Sequence, residues 1–354
     1  MDYLARLKDN SLKIRYSLVS MITETDKSFV IASSRDSRLD SVKFCLILLV
    51  VTGHVLESNQ FNSISGSTLL WNWIYMFHMP LFIFISGYFS QKKDSRKFLS
   101  SCWSLIEPLI LFQLIWLAYG YFASGEIAIE TVFTPMWGLW YLLSLLYWRI
   151  LLQIIPDKIL SNKKLVIIVS FAIGILAGFL PFDRFLSLQR TFAFLPFFML
   201  GHCMRGKCLF VDSKYRLLFG LFLAVVFVLL SFINGDNFNL NHTDPYRDIT
   251  GMYIRLASFV LCIPMSVAFI NVCPSTQWIA TQGKHTLHFY LYHVFFILLF
   301  MKVLSRFVFP KNLISLFLVV SLIILCISLL LRIPLFQKIT NPSSFFNNLG
   351  KRTA

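Results

Sequence analysis

Histidines and cations stand inside apolar segments of this sequence, where an ionisable side chain is costly and marks a functional site or a polar contact between helices. Lys43 and His54 belong to one apolar run and are eleven residues apart. On a helix that spacing is almost three turns, which places both side chains on one face, ~16 Å apart along the axis. Alternatively, Lys43 extends to the membrane surface and His54 makes a packing contact. This run alone favours neither interpretation.

His78 lies in the next apolar run, within "MFHMPLFIFISGYF", two residues before Pro80. A proline in a spanning helix needs neighbouring protein or a wet cavity to satisfy the freed backbone groups, so we expect His78 to face the bundle interior. Arg149 lies in the inner half of a later run and either reaches the membrane surface or forks onto a phosphate. Because an imidazole titrates near neutral pH and a nearby cation favours its neutral form, buried histidines beside cations suit a general base.

The segment "GKHTLHFYLYHVFF" carries three histidines close together. His285 and His288 are one turn apart, but no carboxylate or further ligand stands at a supporting spacing, so we expect no metal site. Tyr290, Tyr292 and His293 are expected to line the same cavity as the earlier histidines, and Tyr290 and His293 to contact substrate. Arg190, at the outer end of another run, is a further candidate for substrate binding, or else an anchor at the membrane surface.

Composition identifies the elements that must position these side chains. Hydrophobic residues make up 57% of the 354-residue chain, charged residues only 14%, and the mean hydropathy is +0.70. These values predict an all-α, polytopic integral membrane protein. The net charge of +15 is spread over loops between apolar runs and does not form one basic domain face. We therefore expect a lipid bilayer and no nucleic acid among the partners.

About ten transmembrane helices are predicted from apolar runs bounded by charged or turn-rich stretches. Alternate loops contain twelve Lys and Arg residues against five. Since cytoplasmic loops keep the excess, the even-numbered loops and both termini are predicted to be cytoplasmic. The chain thus divides into a cytoplasmic segment 1–37, a membrane domain 38–335 and a cytoplasmic tail 336–354. The predicted spans are 41–57, 69–89, 102–123, 137–155, 164–180, 190–204, 216–233, 253–272, 286–304 and 313–331.

Three further features limit the interpretation. The seven cysteines lie mostly in or beside apolar runs, which predicts neither a disulfide framework nor a cysteine metal site. The first residues carry charges throughout, so the first span is expected to act as the insertion signal without cleavage. The longest exterior loop, "NGDNFNLNHTDPYRDITG", is expected to be a solvated connector, although it could also close over a substrate.

The motifs resemble the integral-membrane acyltransferase family 3 and, within it, the fucose 4-O-acetylase-like branch. The resemblance covers roughly three quarters of the chain. It departs from the family pattern at "RKFLSSCWSLIEP", where Glu107 precedes Pro108, so no donor contact is assigned there. The motifs that carry it are Lys43 with Gly53-His54, "FHMPLFIFISGYF" (77–89), "LWYLLSLLYWRI" (139–150), "FLPFFMLG" (194–201) and "YLYHVFFI" (290–297).

The resemblance implies that residues 38–335 are an acyltransferase domain in the bacterial inner membrane. Its expected reaction moves an acyl group, usually acetyl from acetyl-CoA as co-substrate, to a hydroxyl of a sugar or surface polysaccharide. His54 would be the general base, and Lys43 and Arg149 would hold the CoA phosphates, since ~16 Å is comparable with the reach of a pantetheine arm. His78 or a nearby hydroxyl would stabilise the oxyanion.

An enzyme that uses another acyl donor or another small hydroxyl acceptor stays open at this point, as do two other classes of function. In a polytopic transporter, His54, His78 and Arg149 would line a proton or anion path, although the sequence contains no detectable internal repeat. In a structural scaffold of a glycan-assembly complex, His54 would be dispensable.

Overall fold

Every secondary-structure element in the described part of the chain is a helix, as predicted. The computed structural model describes residues 36–340 apart from 127–128, 183, 233–239 and 241. The predicted N-terminal segment 1–37 lies outside these residues except for its last two, and the predicted tail 336–354 is described only as far as residue 340.

Contacts divide the chain into Met1–Arg38 and Leu39–Ala354, and all side chains of the candidate site belong to the second unit. Helices occupy all ten predicted positions. Seven of them, α1 to α3 and α7 to α10, are long and apolar enough to cross a membrane, which confirms a polytopic membrane protein. α7 reaches this length together with the 3-10 turn before it, over Ser213–Ser231. α4, α5 and α6 have 14 to 16 residues, so the number of crossings stays a prediction. These ten helices are α1 Ser37–Leu56, α2 Ser67–Tyr88, α3 Ser95–Ser124, α4 Leu139–Ile154, α5 Lys163–Leu176, α6 Leu188–Cys203, α7 Arg216–Ser231, α8 Ile249–Val272, α9 Thr286–Leu304 and α10 Leu313–Leu330. The described residues also form shorter helices over Ile129–Phe133, Asp157–Ser161, Gln277–Gly283 and Pro334–Ile339.

Several helices begin earlier than their apolar runs suggest, and two of them show why. α3 begins at Ser95, because a helix can continue past the apolar run while Arg96 and Lys97 stay exposed. α8 begins at Ile249, because the side chain of Asp248 accepts hydrogen bonds from the backbone N–H groups at the start of the helix. Apolar periodicity does not report either effect.

The first two helices form the centre of the described bundle. In both α1 and α2, 67% of the most apolar 18-residue stretch is buried inside the protein, against 44% in α9 and 17% in α7. A helix that is apolar on all sides is buried within protein or lipid. The central position of α1 and α2 therefore places His54 and His78 among other helices.

Glycines allow the central helices to approach their neighbours. A Cβ on Gly87 of α2 would overlap the carbonyl oxygen of Phe198 on α6, and a Cβ on Gly201 of α6 would overlap the carbonyl oxygen of Phe84 on α2. Small residues permit such backbone contact between membrane helices. The glycines in "ISGYF" and "FFMLG" thus hold α2 against α6.

Candidate active site

A cavity of about 380 Å³ opens at the C-terminal end of α1. We call it the outer cavity, since the predicted orientation places this end of α1 outside the cytoplasm. Its lining combines titratable groups with aromatic rings, the mixture typical of a ligand site. The polar and aromatic lining residues are His54, Glu57, Tyr75, His78, Thr134, Trp137, Trp140, Arg184, Ser187, Arg190, Thr243 and Tyr290.

His54 is hydrogen-bonded to a carboxylate at the mouth of this cavity. Its Nδ1 lies 2.8 Å from Oε2 of Glu57, one helical turn further along the chain. The Glu57 side chain is 37% exposed. Its partial burial raises the pKa of the carboxyl, but the hydrogen bond and charge of His54, together with hydrogen bonds from Tyr75 and Trp71, lower the pKa to about 2. Because an ionised carboxylate can only accept, Nδ1 carries a hydrogen and the neutral ring keeps Nε2 as an acceptor.

In two other histidines, too, Nδ1 faces an acceptor, so the neutral ring carries its hydrogen on Nδ1. Nδ1 of His78 lies 2.8 Å from the carbonyl oxygen of Ile74, and Nδ1 of His293 lies 2.7 Å from that of Tyr290. His78 lines the outer cavity. His293 was expected to do the same, but it is fully buried and its ring lies 5.3 Å from the ring of His54, between centroids. Its Nε2 has no hydrogen-bond partner in the described residues.

A second cavity, of about 320 Å³, lies towards the opposite end of α1, and we call it the inner cavity. Three cations line it, namely Lys43, Arg149 and Lys284. Lys284 is held near α1 because the preceding Gly283 contacts the backbone of Asp40, where a Cβ would overlap the carbonyl oxygen. The cluster of cations is suited to a phosphate-bearing ligand.

The cations of the inner cavity differ in their protein contacts. Nζ of Lys43 lies 2.6 Å from Oδ1 of Asp40, whose side chain is 3% exposed. Nη1 of Arg149 donates to the carbonyl oxygen and hydroxyl of Ser101, at 3.1 and 3.0 Å. Lys43 is therefore paired with a carboxylate, whereas the hydrogen bonds of Arg149 within the described part of the chain go to the uncharged groups of Ser101.

Tyr290 lines both cavities. Its ring packs against those of Tyr141 and Phe82, with centroid distances of 5.4 and 6.3 Å. The hydroxyl of Tyr141 is in turn hydrogen-bonded to Ser86 at 2.5 Å. Aromatic side chains of α2, α4 and α9 thus separate the cations of the inner cavity from the imidazoles of the outer cavity.

Arg190 at the start of α6 lies over the ring of Trp140, with its guanidinium carbon 4.8 Å from the ring centroid. The described end of the long exterior connector reaches the same cavity through Thr243. His242 and Thr243 are buried, so the expectation of a solvated connector is wrong for these residues. They are covered because the aromatic rings of Phe194 and Phe259 pack on His242.

The structure distributes six of the seven candidate residues over two cavities, and the seventh, His293, lines neither of them. His54, His78, Arg190 and Tyr290 line the outer cavity, and Lys43, Arg149 and again Tyr290 line the inner cavity. Glu57 was not singled out from the sequence. The available signal was its position three residues after His54, which places both on one helix face.

Comparisons with known proteins give one extensive match and two short ones. A model of acyltransferase family 3, described as an acyltransferase domain, matches residues 36–333. The nodulation protein NolL of Sinorhizobium fredii is 38% identical over 90 residues, which cover 25% of each chain. The nodulation protein NolL of Mesorhizobium japonicum is 39% identical over 90 residues, covering 24% of this chain and 23% of the relative. No solved structure matches.

The two relatives are matched over only about a quarter of their length, and the fucose 4-O-acetylase-like branch stays a prediction. The family match is different, because it extends from the start of α1 to just beyond α10. It includes every helix that contributes to the two cavities. The chain therefore belongs to acyltransferase family 3 and is a multi-pass membrane acyltransferase.

Proposed function

We propose that this protein transfers an acetyl group from acetyl-CoA to a sugar hydroxyl of a surface polysaccharide or its precursor, in the bacterial inner membrane. The observation that carries the proposal is the pair of cavities that share Tyr290. One cavity is lined by cations and the other contains an imidazole paired with a carboxylate. Donor and acceptor would then reach the reaction from opposite ends of α1.

The inner cavity is the proposed donor site. Arg149 and Lys284 supply positive charge for the CoA phosphates, and Lys43, although paired with Asp40, adds N–H donors. The ~16 Å of helix between Lys43 and His54 is comparable with the length of a pantetheine arm. The thioester would reach the outer cavity beside Tyr290, so we place the acyl carbonyl between this tyrosine and His54.

The outer cavity is the proposed acceptor site. Trp137 gives it a flat apolar surface, and Arg184 and Arg190, the latter over the ring of Trp140, give it hydrogen-bond donors. A sugar offers both apolar ring faces and hydroxyl acceptors, so this lining suits it. The lining of the outer cavity therefore carries the proposal of a sugar acceptor.

In the proposed reaction, Nε2 of His54 removes the proton of the acceptor hydroxyl as its oxygen attacks the thioester carbonyl. The carbon–sulfur bond then breaks, and the CoA thiolate takes the proton from His54. His78 was expected to stabilise the oxyanion. Its Nδ1 donates to Ile74, so the neutral ring presents an acceptor at Nε2, and we propose that it orients an acceptor hydroxyl.

Complementation of a deletion strain tests the proposal. Surface glycan from cells with wild type, His54→Ala or the control His285→Ala is compared by NMR of base-labile O-acetyl signals. His285 lines neither cavity and its side chain makes no cap hydrogen bond to α9. We expect acetyl with wild type and the control, and none with His54→Ala at equal membrane level. Full restoration by His54→Ala would refute the mechanism, and acetylation independent of the protein would direct attention to another acceptor or to transport.

A further inference from the structure

The carboxylate of Glu57 accepts three side-chain hydrogen bonds in the outer cavity. Oε2 accepts from Nδ1 of His54 at 2.8 Å, while Oε1 accepts from Nε1 of Trp71 at 3.0 Å and from the hydroxyl of Tyr75 at 2.7 Å. The indole and phenol rings are stacked, with centroids 3.9 Å apart. Both carboxylate oxygens are thus held by hydrogen bonds, and the two rings that bond Oε1 are themselves held by their stacking.

The sequence around His54 accommodates this arrangement. A Cβ on Gly53 would lie 2.7 Å from Cε2 of Tyr75, so glycine allows Tyr75 to pack against α1 and to reach Glu57. The backbone N–H of Glu57 donates to the carbonyl oxygen of Gly53 at 3.2 Å, which continues the helical turn beyond Leu56. Gly53 therefore helps to position the carboxylate of Glu57 as well as His54, the next residue in the chain.

Among the three imidazoles described above, only His54 has a carboxylate at Nδ1. The Nδ1 atoms of His78 and His293 face backbone carbonyls, which carry no net charge. An anion beside Nδ1 stabilises the imidazolium that forms when Nε2 accepts a proton. The other titratable or charged groups that line the cavity around His54 or contact its ring are Tyr75 and His78 of α2, Arg184 and Arg190 before and within α6, and Tyr290 and His293 of α9.

We infer that Glu57 is a positioning residue for the transfer reaction. Its carboxylate selects the tautomer of His54 that exposes a basic Nε2 to the acceptor, and it stabilises the positive ring during the proton transfer. Trp71 and Tyr75 act on the reaction through Glu57, because they fix the direction of its two oxygens. This inference rests on the proposed function, since it assigns a role within that reaction.

The test uses the full-length protein purified in detergent, radiolabelled acetyl-CoA as donor and glycan from the deletion strain as acceptor. Wild type is compared with Glu57→Gln, Glu57→Asp and His54→Ala. Glu126→Gln is the matched control, because Glu126 is an exposed carboxylate that lines neither cavity. The measured quantities are kcat and kcat/KM as functions of pH, together with the elution profile that reports folding.

We expect Glu57→Gln to lower kcat/KM about 10²-fold, the lower end of the usual effect of general base catalysis. Without the anion the imidazolium is less stable, so the ring of His54 stays unprotonated, and able to accept a proton, down to a lower pH. The acidic limb of the profile should therefore move to lower pH by about 1 unit. Glu57→Asp keeps the charge at a greater distance and should move the limb less, in the same direction.

Two results would overturn the inference. One is a Glu57→Gln protein with the rate and pH profile of wild type, and the other is a uniform loss of activity without movement of the limb in either Glu57 variant, as expected of a purely structural residue. If the Gln variant does not fold, the limb of the Asp variant decides. The His54→Ala variant distinguishes failure of the inference on Glu57 from failure of the proposed function. Full activity of this variant would refute the proposed function itself.

Discussion

The hydroxyl of Tyr290 on α9 donates a 2.6 Å hydrogen bond to the carbonyl oxygen of Gly138, just before α4. A Cβ on Gly138 would lie 3.0 Å from the tyrosine ring, so glycine permits this close contact. The bond fixes the ring where it lines both cavities. Tyr290 is thus placed to limit what passes between them.

Replacement of Tyr290 by alanine should open the wall between the cavities. We expect Tyr290→Ala to release thiol from acetyl-CoA without acceptor faster than wild type, because water reaches the thioester, and to transfer less acetyl to glycan. Free-thiol release and acetyl incorporation are measured in parallel. Tyr292→Ala is the control, since Tyr292 lies on the same helix and lines neither cavity. An unchanged ratio of hydrolysis to transfer in Tyr290→Ala would contradict the prediction.

Arg149 should contribute to donor affinity. Loss of one charge-assisted phosphate contact is worth about 1.5–3 kcal/mol, so Arg149→Gln should raise the KM for acetyl-CoA at least ~10-fold with little change in kcat. Arg205→Gln is the control, because Arg205 is exposed and lines neither cavity. A fall in kcat at unchanged KM would remove Arg149 from the donor site.

Lys43 should affect stability as well as donor binding. Lys43→Gln removes the ion pair with the buried Asp40, and breaking such a pair from one side costs about 3–5 kcal/mol. Thermal unfolding in detergent should therefore shift down. The double variant Lys43→Gln with Asp40→Asn should recover most of the loss but keep the higher KM for acetyl-CoA. A single variant as stable as wild type would show that the pair contributes nothing.

Periodicity was enough to place Lys43 and His54 on one helix face and to locate the ten helices. Periodicity could not predict the full set of hydrogen bonds that hold Glu57, the partner of His54. Trp71 and Tyr75 come from a different helix and meet Glu57 only through tertiary packing. The apolar run 190–204 already predicted a short α6, but the runs at α4 and α5 are longer than the helices Leu139–Ile154 and Lys163–Leu176, since composition does not fix where hydrogen bonding ends.

The division into two cavities was also beyond the sequence. Tyr290 and His293 were expected at the same cavity, three residues apart on α9. The structure places Tyr290 at both cavities and His293 at neither, although its ring lies beside that of His54. A single helix face can meet different neighbours at successive turns, and only the packing of α2, α4 and α9 decides between them.

The contact between α2 and α6 should depend on the absence of a side chain at Gly201. In Gly201→Ala the new Cβ would overlap the carbonyl oxygen of Phe84, so the two helices must separate. We expect less folded protein in the membrane and a lower unfolding temperature. Gly120→Ala is the matched control on α3, because nothing lies within 4 Å of a Cβ there. Equal stability of the two variants would mean that α2 and α6 can separate without cost.

Glu57 should make stability depend on pH in a defined direction. Its pKa is lowered from 4.5 to about 2 in the folded protein, so its contribution is present in full above pH 4.5 and is lost as the pH falls through about 2. Glu57→Gln should therefore unfold at a lower temperature than wild type at pH 6, and the difference should shrink between pH 4.5 and 3. Glu126→Gln, an exposed carboxylate, should match wild type throughout. A difference that stays constant down to pH 3 would mean that the charge of Glu57 does not stabilise the fold.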